Sequence, residues 1–167
     1  LTFEEKIFEQ YFNRERKSGA AILQRVRFLD NVTHRILITG DPANWGSKEE
    51  ITDVEWNAFL RGMWMHQKSR APGSYTGKSM AWIEGDREKN NVGQIWIMKV
   101  ADSNKYFNAQ NKFIEQVADI LGDRSIGFGK MNMGRNGATH YAVFYGDNLS
   151  DVELTMDKIR APKHLLK

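Results

Sequence analysis

The sequence has no cysteine, only three prolines and no long uninterrupted apolar run. The lack of cysteine excludes disulfides, thiolate metal sites and cysteine nucleophiles, and it agrees with a reducing compartment. A bilayer-spanning helix needs about 20 mostly apolar residues, and no stretch of the sequence supplies them. Scarce proline also argues against a disordered, low-complexity chain. We therefore expect a folded cytoplasmic protein with no membrane segment.

Length, charge and aromatic content further limit the kind of protein that the sequence can encode. The 167 residues predict a single domain over 1–167, since domains cluster at roughly 100–150 residues. Lys and Arg number 24 and Asp and Glu number 21, so the net charge of +3 permits contact with a polyanion without requiring it. The chain also has five Trp, five Tyr and nine Phe. That is more tryptophan than a core of this size usually requires.

Hydrophobic periodicity predicts strand pairs separated by helices, an order typical of the α+β class. We expect one antiparallel sheet with three helices on one face, and a short closing helix at the end of the chain. The predicted elements, in chain order, are a helix over Phe3–Arg16; strands over Ala21–Phe28 and Arg35–Thr39; a helix from the capping box Thr52–Glu55 to about His66; a hairpin of Met80–Ile83 and Val92–Val100; a helix with Asp102 or Ser103 as its N-cap that continues to Leu121 and ends at Gly122; strands over Ile126–Met131 and Thr139–Tyr145; and the closing helix Ser150–Ile159.

Enzyme signatures are weak. The segment Gly73–Ser79 resembles a phosphate-binding loop but is one residue short, with Pro72 in place of the first glycine. It also follows a predicted helix and precedes a predicted strand, whereas a phosphate-binding loop follows a strand and precedes a helix. The four histidines lack metal-ligand spacing, and no Gly-x-Ser-x-Gly motif occurs. We expect no catalysis, no cofactor and no metal; an enzyme acting on nucleotides would depend on this loop alone.

A basic pair stands out in the predicted hairpin tip. Arg87 and Lys89 would share one side of an extended segment, because side chains alternate with period two, and both cations would then meet one anionic group. Aromatic residues on the adjoining strands strengthen this interpretation, since ring faces beside cations can hold a base together with its phosphates.

These residues resemble the mRNA 5′-cap-binding translation initiation factors of the 4E class, in the same order over nearly the whole chain. The most specific match is Arg87-x-Lys89 followed six residues later by Ile95-Trp96. Other matching segments are Glu5–Tyr11, Arg35–Thr39, Val54–Trp56, Phe113-Ile114, Leu121-Gly122 and Gly134–Phe144. The resemblance implies a curved antiparallel sheet with three helices packed on its convex face.

The resemblance also implies roles for single residues. Arg87 and Lys89 would hold the cap phosphates, with Lys130 and Arg135 as secondary phosphate contacts. N7-methylation makes guanine cationic, so aromatic rings can hold it by cation–π attraction and stacking. Trp96 would touch this base and Phe28 would stack on it. Asp30, one place later than the family's glutamate, would read the guanine edge by accepting its N–H groups.

The partner surface departs from the family pattern. Phe8 and Tyr11 resemble first-helix residues that dock scaffold or repressor proteins on the helical face. Asn57 and Arg61 stand where the family has apolar docking positions, which predicts weaker binding of the usual peptides. The family's first stacking Trp precedes the first helix, where this sequence begins. The sequence therefore resembles a divergent member of the family, from an unusual eukaryote or a virus that infects one.

Two alternative functions remain. The first function is cap binding in translation initiation or its regulation, with capped mRNA as partner. The second is a general RNA-binding or scaffold domain of the same fold, in a ribonucleoprotein or viral polymerase, without cap selectivity.

Trp56 and Trp64 are expected on the apolar side of the second helix, and Trp82 between the sheet and the helices.

Overall fold

The computed structural model of the protein describes residues 3–12, 14–26, 33–66, 76–133 and 137–161. It divides the chain into two compact units, unit 1 (Leu1–Pro72) and unit 2 (Gly73–Lys167). Both units combine helices with antiparallel strands, which confirms the α+β class. The described residues form two antiparallel sheets, whereas one was expected, and four α-helices rather than three on one face; the fourth, Leu149–Arg160, corresponds to the expected closing helix. The single domain over 1–167 stays a prediction.

Unit 1 contains two helices and one strand pair. Its elements are α1 (Phe3–Phe12), β1 (Ala21–Arg25), β2 (His34–Ile38), a 3-10 turn (Pro42–Asn44) and α2 (Asp53–His66). β1 and β2 pair antiparallel from Ala21 opposite Ile38 to Arg25 opposite His34, which confirms the predicted pair. Residues 27–32, which join these strands in sequence, lie outside the described residues, and α1 ends before the predicted Arg16.

The start of α2 is the capping box predicted from Thr52 and Glu55. The Thr52 backbone N–H donates to Glu55 Oε2 over 3.0 Å, and the Glu55 N–H donates to Thr52 Oγ1 over 3.3 Å. Arg14 Nη2 also donates to Glu55 Oε1 over 2.8 Å. Arg14 and then Thr52 lower the pKa of Glu55 to about 2. Local hydrogen bonds therefore explain why this helix boundary was predictable.

Aromatic rings hold α1 against α2. Phe8 stacks on Phe12 with centroids 4.5 Å apart, and Phe12 meets Phe59 edge-on at 5.0 Å. Phe8 and Phe59 are both buried. Such ring pairs contribute about 0.5–1.5 kcal/mol each beyond area burial. Trp56 stacks on Phe59 at 5.3 Å and is 43% exposed, and Trp64 is 57% exposed, so neither tryptophan of α2 is buried.

Unit 2 contains a four-stranded antiparallel sheet and two helices. Its elements are β3 (Thr76–Ile83), β4 (Val92–Met98), α3 (Ser103–Leu121), β5 (Ser125–Met133), β6 (His140–Gly146) and α4 (Leu149–Arg160). The strand order is β3-β5-β6-β4, and the described neighbours all pair antiparallel. The predicted β5–β6 pair is confirmed.

The predicted β3–β4 hairpin is wrong, because these two strands are the opposite edges of the sheet. β5 and β6 lie between them, so the loop 84–91 crosses the end of the sheet from one edge to the other. Strands lie about 4.8 Å apart, and three such spacings are roughly 14 Å. The loop spans this easily, since an extended residue covers about 3.3 Å. The polar segment 84–91 is therefore a connection between the two edge strands and not the tip of a hairpin.

The helix α3 ends at Gly122 as predicted, and of the two predicted N-caps, Asp102 and Ser103, the structure has Asp102. The Asp102 side chain accepts hydrogen bonds from the backbone N–H groups of Asn104 and Lys105, both over 3.0 Å. Gly122 ends the helix with a φ of +58°, a conformation that glycine adopts without steric cost. Ile114, Val117 and Leu121 form its buried side.

The core of unit 2 lies between the sheet and its two helices. Phe128 of β5 and Phe144 of β6 are each 1% exposed and pack with Leu121 of α3 and Val152 of α4. Met80, Ala81, Val92, Trp96 and Ala142 are partly buried strand residues against the same core. The other side of the sheet therefore faces away from α3 and α4. None of the helices described is long and apolar enough to cross a membrane.

An ion pair ties the start of α4 to the start of β5. Arg124 Nε donates to Asp151 Oδ2 over 2.9 Å, and Arg124 Nη2 donates to Asp151 Oδ1. Both side chains are largely buried. The guanidinium holds the pKa of Asp151 below its ordinary value. Asn148 caps the helix by accepting the Asp151 N–H over 3.0 Å.

Candidate functional site

The loop 84–91 is fastened to the connection between α3 and β5. The Asp86 N–H donates to the Asp123 carbonyl over 2.7 Å, and the Gly85 N–H donates to Ser125 Oγ over 3.0 Å. Asn90 Nδ2 also donates to the Asp123 carbonyl, over 2.9 Å. A Cβ at Gly85 would overlap that same carbonyl, so this close approach requires glycine. The loop is thereby held at one end of the sheet.

The cations Arg87 and Lys89 lie in this loop, but in a turn rather than an extended segment. Asp86 Oδ1 accepts the backbone N–H groups of Glu88 and Lys89 over 3.0 and 3.4 Å, which fixes the turn. The expected period-two arrangement of the two cations is therefore wrong. Both side chains remain mostly exposed, at 77% for Arg87 and 58% for Lys89.

Each of these cations has a carboxylate beside it. Arg87 pairs with Glu84, while Lys89 Nζ lies 3.1 Å from Asp123 Oδ2 and 3.3 Å from Asp86 Oδ2. Asp123 and then Asp86 raise the pKa of Lys89. Exposed ion pairs of this kind contribute little to stability, so breaking them costs little. A phosphate group would still meet four carboxylates, Glu84, Asp86, Glu88 and Asp123, in the loop and at its attachment point.

Trp96 lies in the middle of β4 opposite Ala142 of β6, on the side of the sheet that faces the helices. Its half-buried ring packs against the core of unit 2. Beside it is a cavity of about 230 Å³, lined mainly by apolar side chains that include Met98, Phe113 and Met156, with Gln110 as a polar group. A base in contact with Trp96 would have to enter from this helix side.

The other residues predicted for the cap are distributed more widely. Lys130 of β5 pairs with Lys78 of β3 and with His140 of β6. It lies five residues along β5 from Ser125, the first residue of that strand. At about 3.3 Å per residue, this is roughly 17 Å from the end of the sheet that carries loop 84–91. The structure therefore does not bring Lys130 together with Arg87 and Lys89. The predictions for Phe28, Asp30 and Arg135 fall outside the described residues.

His140, which pairs with Lys130 across β5 and β6, is buried, and both of its ring nitrogens have polar partners. Its Nε2 lies 2.9 Å from Ser103 Oγ and its Nδ1 lies 2.9 Å from Thr139 Oγ1. The Tyr106 ring meets it edge-on at 5.0 Å. Burial, followed by the charge of Lys130, lowers the pKa of His140. This histidine is a structural link between β6 and the start of α3.

The residues predicted for partner docking divide into buried and exposed pairs. Phe8 is buried against Phe12 within unit 1, and the half-buried Tyr11 ring lies 5.4 Å from Phe59. Asn57 and Arg61 are exposed on α2. The buried Phe8 ring is thus part of the core of unit 1 rather than of a free surface.

Sequence reasoning missed a surface on unit 2, which we call the open face. It is the side of the sheet opposite α3 and α4, and it carries Trp82, Ile95, Ile97, Tyr141 and Tyr145. Trp82 is 46% exposed and Ile97 is 48% exposed. The expectation that Trp82 packs the sheet against the helices is wrong. The aromatic surplus was the available signal, but it does not say which ring faces solvent.

The described residues contain no group of three or more His, Cys, Asp or Glu side chains that could hold a metal ion. Comparisons of the chain with protein-family models, with curated proteins and with solved structures find no match. The chain's own residues are therefore the basis for any function assigned to it.

Proposed function

We propose that this chain binds the 7-methylguanosine cap of mRNA, without catalysis, as a divergent protein of the 4E type. The curved sheet with helices on its convex face is part of this proposal. The observation that carries it is the loop 84–91, which holds Arg87 and Lys89 in one turn at the end of the sheet. Both side chains are mostly exposed there.

The chemistry of this loop suits a short chain of phosphates. Hydrogen bonds between a charged donor and a charged acceptor are about twice as strong as neutral ones. Arg87 offers a planar fork and Lys89 a compact ammonium group, so the two can take different oxygens of one oligophosphate. Hydrogen bonds from the backbone N–H groups of Gly85 and Asp86 and from the Asn90 side chain hold the loop in place before any ligand arrives.

Tryptophan fluorescence titrated with 7-methyl-GTP and with GTP tests the proposal. We expect tighter binding of the methylated nucleotide, because the positive charge on its base adds cation–π attraction. The double variant Arg87→Ala/Lys89→Ala should weaken binding about tenfold or more, equivalent to 1.4 kcal/mol or more.

A matched control is Lys105→Ala/Lys112→Ala, which removes the same charge from exposed positions of α3. It should leave the affinity within about twofold, since screening limits distant surface charges at physiological salt. Equal affinity for 7-methyl-GTP and GTP would contradict cap selectivity. An equal loss in both double variants would contradict a specific phosphate site.

One observation favours the second candidate, general RNA binding without cap selectivity. The open face has aromatic rings at Tyr145, Trp82 and Tyr141, on successive levels of the sheet, which is more than one base needs. Base–aromatic stacking tolerates any sequence. Capped and uncapped forms of one short single-stranded RNA distinguish the two candidates: equal affinity supports the second and contradicts the first.

A further inference from the structure

The cavity of about 230 Å³ in unit 2 lies between the sheet and the helices α3 and α4. Ile126 and Phe144, which line it, are buried in the core. Trp96, Phe113 and Met156 also line it and are only partly buried, so the cavity reaches the surface. Protein interiors are close-packed and contain few voids larger than a water molecule. A void of this size is therefore an exception that an occupant would explain.

The lining of the cavity is apolar and adaptable. Trp96 and Phe113 supply aromatic rings, and Met98 and Met156 supply thioether side chains. Methionine has three rotatable bonds and a polarizable sulfur, so it adjusts to the outline of a ligand and makes favourable contacts with aromatic rings. An apolar cavity of about 150 Å³ stays dry and holds benzene. The larger cavity in this protein has room for a second fused ring.

One residue of the lining can form directional contacts with a ligand. Gln110 lies on α3, one turn before Phe113, and its side chain is hydrogen-bonded to the side chain of Tyr106. An amide group can form several hydrogen bonds, since it has two N–H donors and an accepting oxygen. A single hydroxyl or carbonyl group of a ligand can therefore pair with Gln110 as well.

The charge of the lining limits the kind of ligand. The described residues that line the cavity carry no charge. Moving an ionised group from water into such surroundings costs far more free energy than moving a neutral one. Nucleotides and phosphates are therefore poor occupants. A neutral apolar molecule, in contrast, fills empty space and stabilises the folded state to which it binds.

We infer that this cavity binds a neutral, flat molecule the size of two fused rings with one hydroxyl or carbonyl group, which Gln110 orients. The rings contact Trp96, Phe113 and the two methionines of the lining. This site is separate from the proposed function, because it uses neither Arg87 nor Lys89. The variant Arg87→Ala/Lys89→Ala should bind such a molecule like the wild type, so that a failure of cap binding leaves this inference standing.

The test is NMR of the full chain with labelled methionine methyl groups, titrated with 2-naphthol as the probe. The chain has seven methionines, whose signals are assigned by replacement with leucine. The signals of Met98 and Met156 should shift and saturate, because the probe lies against them. Met65 and Met133 are 78% and 58% exposed and do not line the cavity, so they are internal controls. Equal shifts at these exposed methionines would overturn the inference.

The role of Gln110 is tested by a second probe, naphthalene, which has no hydroxyl group. Gln110→Leu should weaken binding of 2-naphthol about fivefold and leave binding of naphthalene unchanged, because only the hydroxyl pairs with the amide. Gln116→Leu is the matched control, since Gln116 is an exposed glutamine on the same helix, and it should bind both probes like the wild type. An equal loss for both probes in Gln110→Leu would contradict its orienting role.

Filling the cavity tests its location. Ala142 of β6 lines the cavity opposite Trp96. Ala142→Leu should weaken binding of both probes about tenfold or more, with a Tm within about 5 °C of the wild type. If this variant does not fold, Ile159→Phe, at a half-buried position of the lining, serves the same purpose. Wild-type affinity in a folded variant of this kind would overturn the inference.

Discussion

The two faces of the unit 2 sheet come from the same strands but differ in packing. On the side of α3 and α4, Phe128 and Phe144 are almost completely buried. On the open face, Trp82 and Ile97 keep nearly half of their surface in water. Full burial of a large apolar side chain contributes about 1.5–3 kcal/mol. The helix side therefore supplies most of the stability, which leaves the open face free to bind.

Glycine distribution adds to this contrast. Gly93, Gly127 and Gly129 all contribute to the open face, and each of them has an aromatic ring in the space of its missing side chain. The helix side has bulky residues at the adjacent positions of the same strands, such as Ile126 and Phe128 in β5. Flat rings over bare backbone make a smooth surface, whereas interlocking side chains make a core.

The largest expected effect is on the helix side. Phe128→Ala should lower the free energy of unfolding by about 3–5 kcal/mol, because it leaves a cavity in a closed core. Ile97→Ala, on the open face, should cost no more than about 1 kcal/mol. Urea unfolding followed by circular dichroism measures both. Similar losses in the two variants would remove the distinction between the faces.

A smaller effect concerns the ion pair that ties α4 to the sheet. Asp151→Asn should cost about 1.5–3 kcal/mol at pH 7, because Arg124 loses a charged acceptor. The pKa of Asp151 is lowered in the folded state, so its contribution is complete above the unfolded value of about 3.9. It is lost as the pH falls through the lowered folded value.

The difference between wild type and Asp151→Asn should therefore shrink as the pH falls below about 4. Unfolding curves at a series of pH values measure it. Asp157→Asn is the control, since its pair with Arg160 at 3.9 Å is exposed and should contribute little at any pH. A difference that grows on acidification would contradict the role assigned to Asp151.

The smallest effect is on the open face itself. Gly127→Ala should cost about 1 kcal/mol, since the half-exposed Trp82 ring can swing outward to make room. The emission of Trp82 should then shift to longer wavelength as the ring enters water. Gly46→Ala, with nothing within 4 Å of the new Cβ, should change neither quantity. An unchanged spectrum in Gly127→Ala would show that the ring does not lie over this glycine.

The features predicted correctly depend on contacts a few residues apart. Thr52 and Glu55 bond each other, Asp102 caps the turn that follows it, and Gly122 ends α3 by its own backbone freedom. Strand pairing across a long loop has no such local signal. Loop 84–91 would suit a hairpin or a crossover, and only the competing partners β5 and β6 decide between them.

The sequence also contains no signal for which face of the sheet each strand tryptophan lies on. The run Met80–Ile83 is apolar throughout, so period two cannot say which residues face the helices. A register shift between Ser79 and Ala81 brings both Met80 and Ala81 against the core and turns Trp82 to the open face. Ile95, Trp96 and Ile97 are likewise all apolar, and the pairing of β4 with β6 puts Trp96 on the helix side.

By itself, the sequence determined the class of the fold, the ends of its main helix and a surplus of aromatic residues, since composition, periodicity and caps are properties of short segments. The tertiary structure alone decided which rings are core and which meet water. That choice depends on strand order and on one register shift, and both follow from competition between distant segments for partners. Trp82 and Trp96 show the result: two similar strand tryptophans lie on opposite faces of one sheet.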